Sequence, residues 1–333
     1  MKRLGHLFIL FSFSVFAVPE KDLETTWEKV IYPWYQSLER GEFINHQKLT
    51  LRFVSLVKPE NKKTLLIIPG QSEPALKYAE TAFDLKDSGV DIFILDHQGQ
   101  GESERILAPT DKGHVNAFED YVSDLSLFVG IVKKIKNNSE KLILAHSMGG
   151  AITVRFLSQQ QNIFKKAVLI APMMKINTKP YSEPMARYYS TILVKIGKGQ
   201  DYAPGKGPYR PEESLFETNT VTQSRARFNI SKFIFTSWPH LVVGGPTTKW
   251  VHEGLKATKD IHKIPYKTET LLFQAGLDEI VVNDRQTNFC KSREDLCRLI
   301  YLKDAKHEIL MEKDSIRSSV LAKVKDFFEL SNN

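Results

Sequence analysis

Short, wholly apolar runs recur along this chain, each ending near a glycine or proline and followed by residues of helical spacing. The first covers residues 62–70, where Leu65, Leu66, Ile67 and Ile68 stand in a row before Pro69 and Gly70. A strand with one face in water alternates apolar and polar positions; one buried on both faces, as in a parallel sheet, reads as an unbroken apolar run. Residues 90–96, 141–147 and 165–172 repeat the pattern. Between them, residues 75–89, 117–135 and 148–160 predict helices. The second carries Phe118, Val122, Leu125, Phe128, Val129 and Val132 on one stripe, and Gly89 closes the first. Upstream, residues 48–57 predict an extended segment. Trp27, Val30, Ile31, Trp34 and Leu38 predict a helix that Pro33 kinks or splits. Strands alternating with helices imply an α/β fold, a doubly wound and mostly parallel sheet with right-handed crossovers.

The rhythm stops after Pro172. Residues 173–265 are richer in Pro, Gly, Tyr, Trp and Arg and lack apolar strand runs. Alternation resumes with strands predicted at 268–276 and 298–305 and helices at 283–292 and 314–330. The pattern therefore predicts one sheet domain in two parts, 18–172 and 266–333, interrupted by a largely helical cap at 173–265. Residues 1–17 stand apart. Lys2 and Arg3 precede an apolar run from Leu7 to Val18, and Val15 and Ala17 occupy the positions a signal peptidase reads. The run is well short of the roughly 20 residues that span a bilayer. A signal peptide cleaved after Ala17 is the expected reading. It would make the protein periplasmic or secreted, with the alternative that the leader is kept as an anchor.

Composition narrows the classes. Over 333 residues, 42% are hydrophobic and 26% charged, which excludes a disordered or fibrous chain. The formal charge of +7 is scattered, with no aromatic-interleaved basic patch. That argues against a nucleic-acid partner and fits peripheral contact with anionic membrane surfaces. Cys290 and Cys297 are the two cysteines. In an oxidising compartment they are candidates to pair, which requires a turn between them, because seven residues of continuous helix would hold them too far apart. No second cysteine pair or histidine cluster suggests a metal, and Gly99 and Gly101 lack the third glycine of a dinucleotide loop. No cofactor is expected.

The chemistry sits at strand ends, where open parallel sheets bind ligands. Ser147 follows the strand at 141–147 and precedes Gly149 and Gly150, small residues that let a helix start close to a strand end. It is either a nucleophile on a sharp turn or an ordinary helix N-cap. A nucleophilic serine needs a base, and the base needs an orienting carboxylate. His307 follows the last predicted strand and Asp278 the one before it, so the order is Ser, acid, His. Glu279, Asp284 and Asp304 are competing carboxylates, with Asp284 read as a helix N-cap. The backbone N–H of Met148, and one from the loop after residue 68, nominated as Gln71, are the candidate oxyanion donors. The remaining histidines, His146 among them, read as loop, packing or surface residues.

Residues 96–103, 113–125, 142–152, 171–173, 243–251 and 305–317, including Ala145-His146-Ser147-Met148-Gly149-Gly150, resemble the α/β-hydrolase serine enzymes of the monoacylglycerol lipase group, and within it the bacterial lysophospholipases. The resemblance implies Ser147 as nucleophile, Asp278 as acid and His307 as base. It also implies a helical cap and hydrolysis of a lysophospholipid, with a monoacylglycerol or a general carboxylic ester as the alternative substrate. A lipid-binding protein without catalysis is the reading from another class. In the cap, Phe233, Phe235 and Trp238 (with Tyr188, Ile192 and Leu193) are candidates for an acyl tunnel. Arg187, with Arg210, Arg225 and Arg227, is a candidate for a phosphate. Each competes with a plainer role as cap core or surface residue.

Overall fold

The computed structural model describes residues 17–331, so most of the expected leader lies outside the described residues. Eight strands form one sheet: β1 (Glu39–Ile44), β2 (Thr50–Leu56), β3 (Lys63–Ile68), β4 (Val90–Leu95), β5 (Glu140–His146), β6 (Lys166–Ile170), β7 (Glu269–Ala275) and β8 (Cys297–Leu302). Their order is β1-β2-β4-β3-β5-β6-β7-β8. β2 is antiparallel to both β1 and β4, and every other pairing is parallel. The apolar runs are continuous because both faces are covered. Leu65, Ile67, Leu142, Leu144, Val168 and Ile170 enter one core layer. Their neighbours Leu66, Ile68, Ile143, Ala145, Ala167 and Leu169 enter the other.

The described residues also form ten α-helices: α1 (Glu20–Thr26), α2 (Tyr32–Gln36), α3 (Ala79–Leu85), α4 (Phe118–Ile135), α5 (Met148–Gln159), α6 (Glu183–Lys195), α7 (Arg225–Ser237), α8 (Thr248–Thr258), α9 (Asp284–Lys291) and α10 (Asp314–Phe327). The N-terminal helix is distorted rather than split at its proline. Pro33 opens α2, and the turn before it, Trp27–Ile31, widens to a π-helix. A ring nitrogen without a hydrogen leaves the preceding turn short of one bond, and a π turn absorbs the mismatch. The hairpin strand β1 replaces the tail of the helix expected up to residue 41. Its residues pair with β2 from Glu39 to Ile44.

The region between β6 and β7 holds α6, α7 and α8, joined by irregular chain. Not all of it stands apart from the sheet. Trp250 and Ala257 on α8, with Ile261, pack into the same core layer as Phe118, Tyr121 and Leu169. A parallel β6–β7 pair needs a crossover that returns to the start of the sheet, and α8 is where this one comes back. The disulfide Cys290–Cys297, Cα–Cα 4.9 Å, joins the end of α9 to the start of β8. The intervening segment forms the turn that such a pair demands.

Two glycines test the geometry. A Cβ on Gly149 would lie 2.2 Å from the Ile68 carbonyl oxygen, whereas one on Gly130, exposed in mid-α4, would meet nothing. Gly149→Ala should therefore cost roughly 1–3 kcal/mol. Gly130→Ala should stabilise by roughly 0.5–1 kcal/mol, because it removes a helix-interior glycine. Urea denaturation of the two variants measures both signs.

Candidate active site

Ser147 stands between β5 and α5 with φ +50° and ψ −116°, a left-handed conformation that costs a non-glycine residue of order 1–3 kcal/mol. Its surroundings hold it there. Its N–H donates to Ile170 O (3.0 Å), and its carbonyl accepts from Met173 N (2.8 Å) and Gly150 N (2.9 Å). Gly150 is needed for the same reason as Gly149, since a Cβ there would sit 2.6 Å from Pro172 Cβ. The turn thus lifts Oγ off the sheet's carboxyl edge.

His307 and Asp278 reach it from the loops after β8 and β7. His307 Nδ1 donates to Asp278 Oδ2 at 2.7 Å, and His307 Nε2 accepts from Ser147 Oγ at 2.9 Å. With Nδ1 carrying the proton, Nε2 is the free base facing the hydroxyl. Asp278 is anchored through Oδ1, which accepts from Ile280 N (2.8 Å) and Val281 N (2.9 Å). The competing carboxylates go elsewhere. Glu279 is exposed, and Asp284 pairs with Lys175 at the first turn of α9, whose N-cap is Asn283 and not Asp284. Asp304 is exposed.

Gln71 and Met148 both border the cavity above Ser147. Among the described residues neither backbone N–H has an acceptor. The Met148 amide opens α5, so the helix dipole adds to its pull on a negative oxygen. The cavity has a volume of about 720 Å³ and is mostly apolar, with Met173, Ile176, Leu193, Trp250, Val251 and Val281 in its wall. Lys179 and Lys206 lie at its rim, both exposed.

Of the cap residues expected to line a tunnel, Phe233, Phe235, Trp238 and Tyr188 do not do so. Phe233 packs edge-on against Trp238, Trp238 tilts onto Tyr32, and Phe235 meets Tyr209. Trp238, at the end of α7, is the ring that joins it to α2, while Phe235 packs within the insertion. Arg187 is committed to Glu183 one turn back along α6, a carboxylate it shares with Arg285. Arg210 and Arg225 are surface residues paired with glutamates, and Arg227 is fully buried against Glu80. Ile192 and Leu193 do border the cavity, together with Tyr189, whereas Tyr188 is exposed outside it.

His146 is the residue whose role the sequence did not disclose. Its Nδ1 lies 2.9 Å from Glu73 Oε2 and its Nε2 3.2 Å from the His307 carbonyl, with the two imidazole rings 4.9 Å apart. Glu73 also accepts from Gly70 N (2.6 Å), Tyr78 Oη (2.6 Å) and Lys77 Nζ (3.0 Å). Lys77 Nζ bridges onward to Glu308 (2.6 Å). Burial alone would lower His146, but the Glu73 carboxylate outweighs it and holds the ring above its ordinary value. Burial alone would raise Glu73, and His146 and Lys77 hold it well below its own. His97, also buried but bonded only to Pro69 O, is pushed by burial down to about 4 and is neutral.

This strand order, strained serine turn and inserted helical region define an α/β-hydrolase. A monoglyceride lipase from Saccharomyces cerevisiae, in a soluble variant, superposes with a TM-score of 0.69 over 88% of this chain and 95% of its own, at 16% identity. The chain belongs to the family described as serine aminopeptidase, S33, which matches residues 59–314. Within the curated proteins it is 36% identical to lysophospholipase L2 of Escherichia coli over 309 residues, 90% of each chain. It is 31% identical to a probable lysophospholipase L2 of Haemophilus influenzae over 91% of this chain and 96% of that one. The protein is a lysophospholipase-like ester hydrolase.

Proposed function

We propose that this protein cleaves the acyl ester of a lysophospholipid through a covalent acyl-enzyme. The observation that carries the reading is the continuous hydrogen-bonded line Ser147–His307–Asp278 at the floor of an apolar cavity. Ser147 Oγ attacks the ester carbonyl as His307 Nε2 takes its proton, and Asp278 steadies the resulting imidazolium. The N–H groups of Met148 and Gln71 stabilise the tetrahedral oxyanion. His307 then protonates the departing glycerol oxygen, and a water deprotonated by the same histidine releases the fatty acid. The apolar wall suits one acyl chain. Lys179 and Lys206 suit a phosphate held at the mouth.

Those lysines are exposed, and the arginines of the cap are paired elsewhere, which favours a second reading: a neutral monoacylglycerol or simple ester as substrate. Both readings require Ser147. Ser147→Ala should abolish fatty-acid release and fluorophosphonate labelling with the fold intact by circular dichroism; a labelled variant would move the nucleophile elsewhere, and an unlabelled wild type would leave only a binding role. Lys179→Ala/Lys206→Ala should lower kcat/KM for a lysophospholipid by about tenfold, the worth of one lost charge-assisted contact, and leave a monoacylglycerol unchanged. Equal rates in both arms favour the neutral ester.

Export and peripheral membrane contact belong to the same proposal. Among the described residues no helix is long and apolar enough to cross a membrane. On α6 and just beyond it, Met185, Tyr188, Tyr189, Ile192 and Ile196 are exposed beside the cavity mouth and fit an interfacial contact. Cleavage after Ala17 would free the amine of Val18. That residue is buried, with its nitrogen 3.4 Å from Asp84 Oδ1 and its carbonyl accepting from Arg227. An ammonium placed there meets a carboxylate. N-terminal sequencing of the protein recovered outside the inner membrane should read Val18 first; an intact leader would overturn this reading.

A further inference from the structure

We propose that His146 acts as a doubly donating imidazolium, a positioning residue that ties the loop carrying the oxyanion donor to the loop carrying the catalytic base. The inference rests on the triad reading above and goes beyond it.

The argument is one of donors and acceptors. Glu73 is met by a backbone N–H, a phenol, an ammonium and His146 Nδ1. A carboxyl surrounded by donors is a carboxylate, so the Nδ1 facing it carries a hydrogen. A backbone carbonyl only accepts, so the Nε2 facing His307 O carries one too. A ring with two N–H donors is cationic. The charges around it agree. Glu73 and Glu308 supply two negatives and Lys77 one positive, all largely buried, so the cluster balances when His146 is charged. Tyr78 is neutral, and the Asp278 carboxylate beyond His307 adds a further negative charge, which also favours the cation. His97 is neutral.

The geometry gives the bridge its purpose. Glu73 Oε2 also holds Gly70 N, adjacent to Gln71. Lys77 holds Glu308, the residue after His307. His146 therefore closes a ring that runs from the Gly70–Gln71 loop through Glu73 to the His307 carbonyl, directly behind Ser147. His307 must stay aligned with Ser147 and Asp278 at once, and a displacement of about 1 Å in such a group costs up to about 100-fold in rate. When His146 loses a proton it keeps one donor for two acceptors, and the ring opens. Because the Glu73 carboxylate holds the ring above its ordinary pKa, the bridge is intact below that raised value and fails as pH rises through it.

Two variants separate the two bonds. Gln at 146 places an amide N–H near the position of Nε2 and keeps the bond to His307 O; Asn places one near Nδ1 and keeps only the bond to Glu73. Steady-state kinetics on a p-nitrophenyl ester from pH 5 to 10, with thermal melts alongside, read the outcome. His146→Asn should lose about 10- to 100-fold in kcat with KM within about twofold. His146→Gln should stay within about fivefold of wild type at neutral pH and lack the alkaline fall that wild type shows. Glu73→Gln should move that fall about one unit or more toward lower pH, because a neighbouring opposite charge supports a cation by about that much. Equal kcat loss in the Asn and Gln variants, an alkaline fall persisting in His146→Gln, or an unmoved fall in Glu73→Gln would each overturn the proposal. Activity surviving in Ser147→Ala would overturn the triad reading instead, so the two failures are distinguishable.

Discussion

Everything in this molecule that bears on chemistry depends on how closely the first turn of α5 approaches the ends of β3 and β6. Gly149 touches the Ile68 carbonyl and Gly150 touches Pro172, with no room for a side chain at either position. That contact forces the left-handed backbone at Ser147, and the bonds to Ile170 and Met173 keep it there. The strain has a use. A relaxed residue would lie along the strand or the helix, whereas Ser147 projects from the corner between them. The same corner puts the Met148 amide next to the hydroxyl in the chain, so the proposed nucleophile and the proposed oxyanion donor are carried by one piece of backbone.

The sequence disclosed whatever depends on local pattern and on strand ends. Runs such as Leu65–Ile68 identified a sheet covered on both faces, and the apolar stripe of 117–135 identified α4. Ser147, Asp278 and His307 were legible because in a parallel sheet each strand's carboxyl end faces one side, so chain order alone brings three distant residues together. The helix distortion at Pro33 was legible for an equally local reason. β1 was not. Glu39, Arg40 and Glu42 have no strand character of their own, and the segment is extended because β2 offers it a ladder to complete.

Two other features stayed hidden because they depend on three-dimensional proximity. Glu73, Lys77, His146 and Glu308 are scattered over some 230 positions of sequence, and each alone reads as a solvated surface charge. What exposes them as a unit is burial: a charge with almost no access to water must find its opposite nearby, and four such groups within bonding distance have found one another. The histidine beside the nucleophile was passed over because adjacency in sequence says little about direction. In this case the elbow turns the two side chains of residues 146 and 147 toward the same histidine, one to its ring and one to its carbonyl.

The cap misled for the complementary reason. Its aromatic and basic residues have the chemistry of a lipid site, but composition does not say which wall of the insertion they line. Trp238 packs on Tyr32 of the N-terminal helices, Phe233 on Trp238 and Phe235 on Tyr209 within the insertion, and Arg227 is spent on Glu80 and Asp314. The cavity is instead closed by α6, by the irregular segment before it and by the first turn of α8, where Trp250 serves core and cavity at once. On the insertion's side the cavity wall is therefore built mainly by residues 173–206 and not by α7. α7 is fastened through a buried ion pair and stacked rings and contributes nothing to the cavity wall, whereas α6 packs along α8 and presents Tyr189, Ile192 and Leu193 to the cavity.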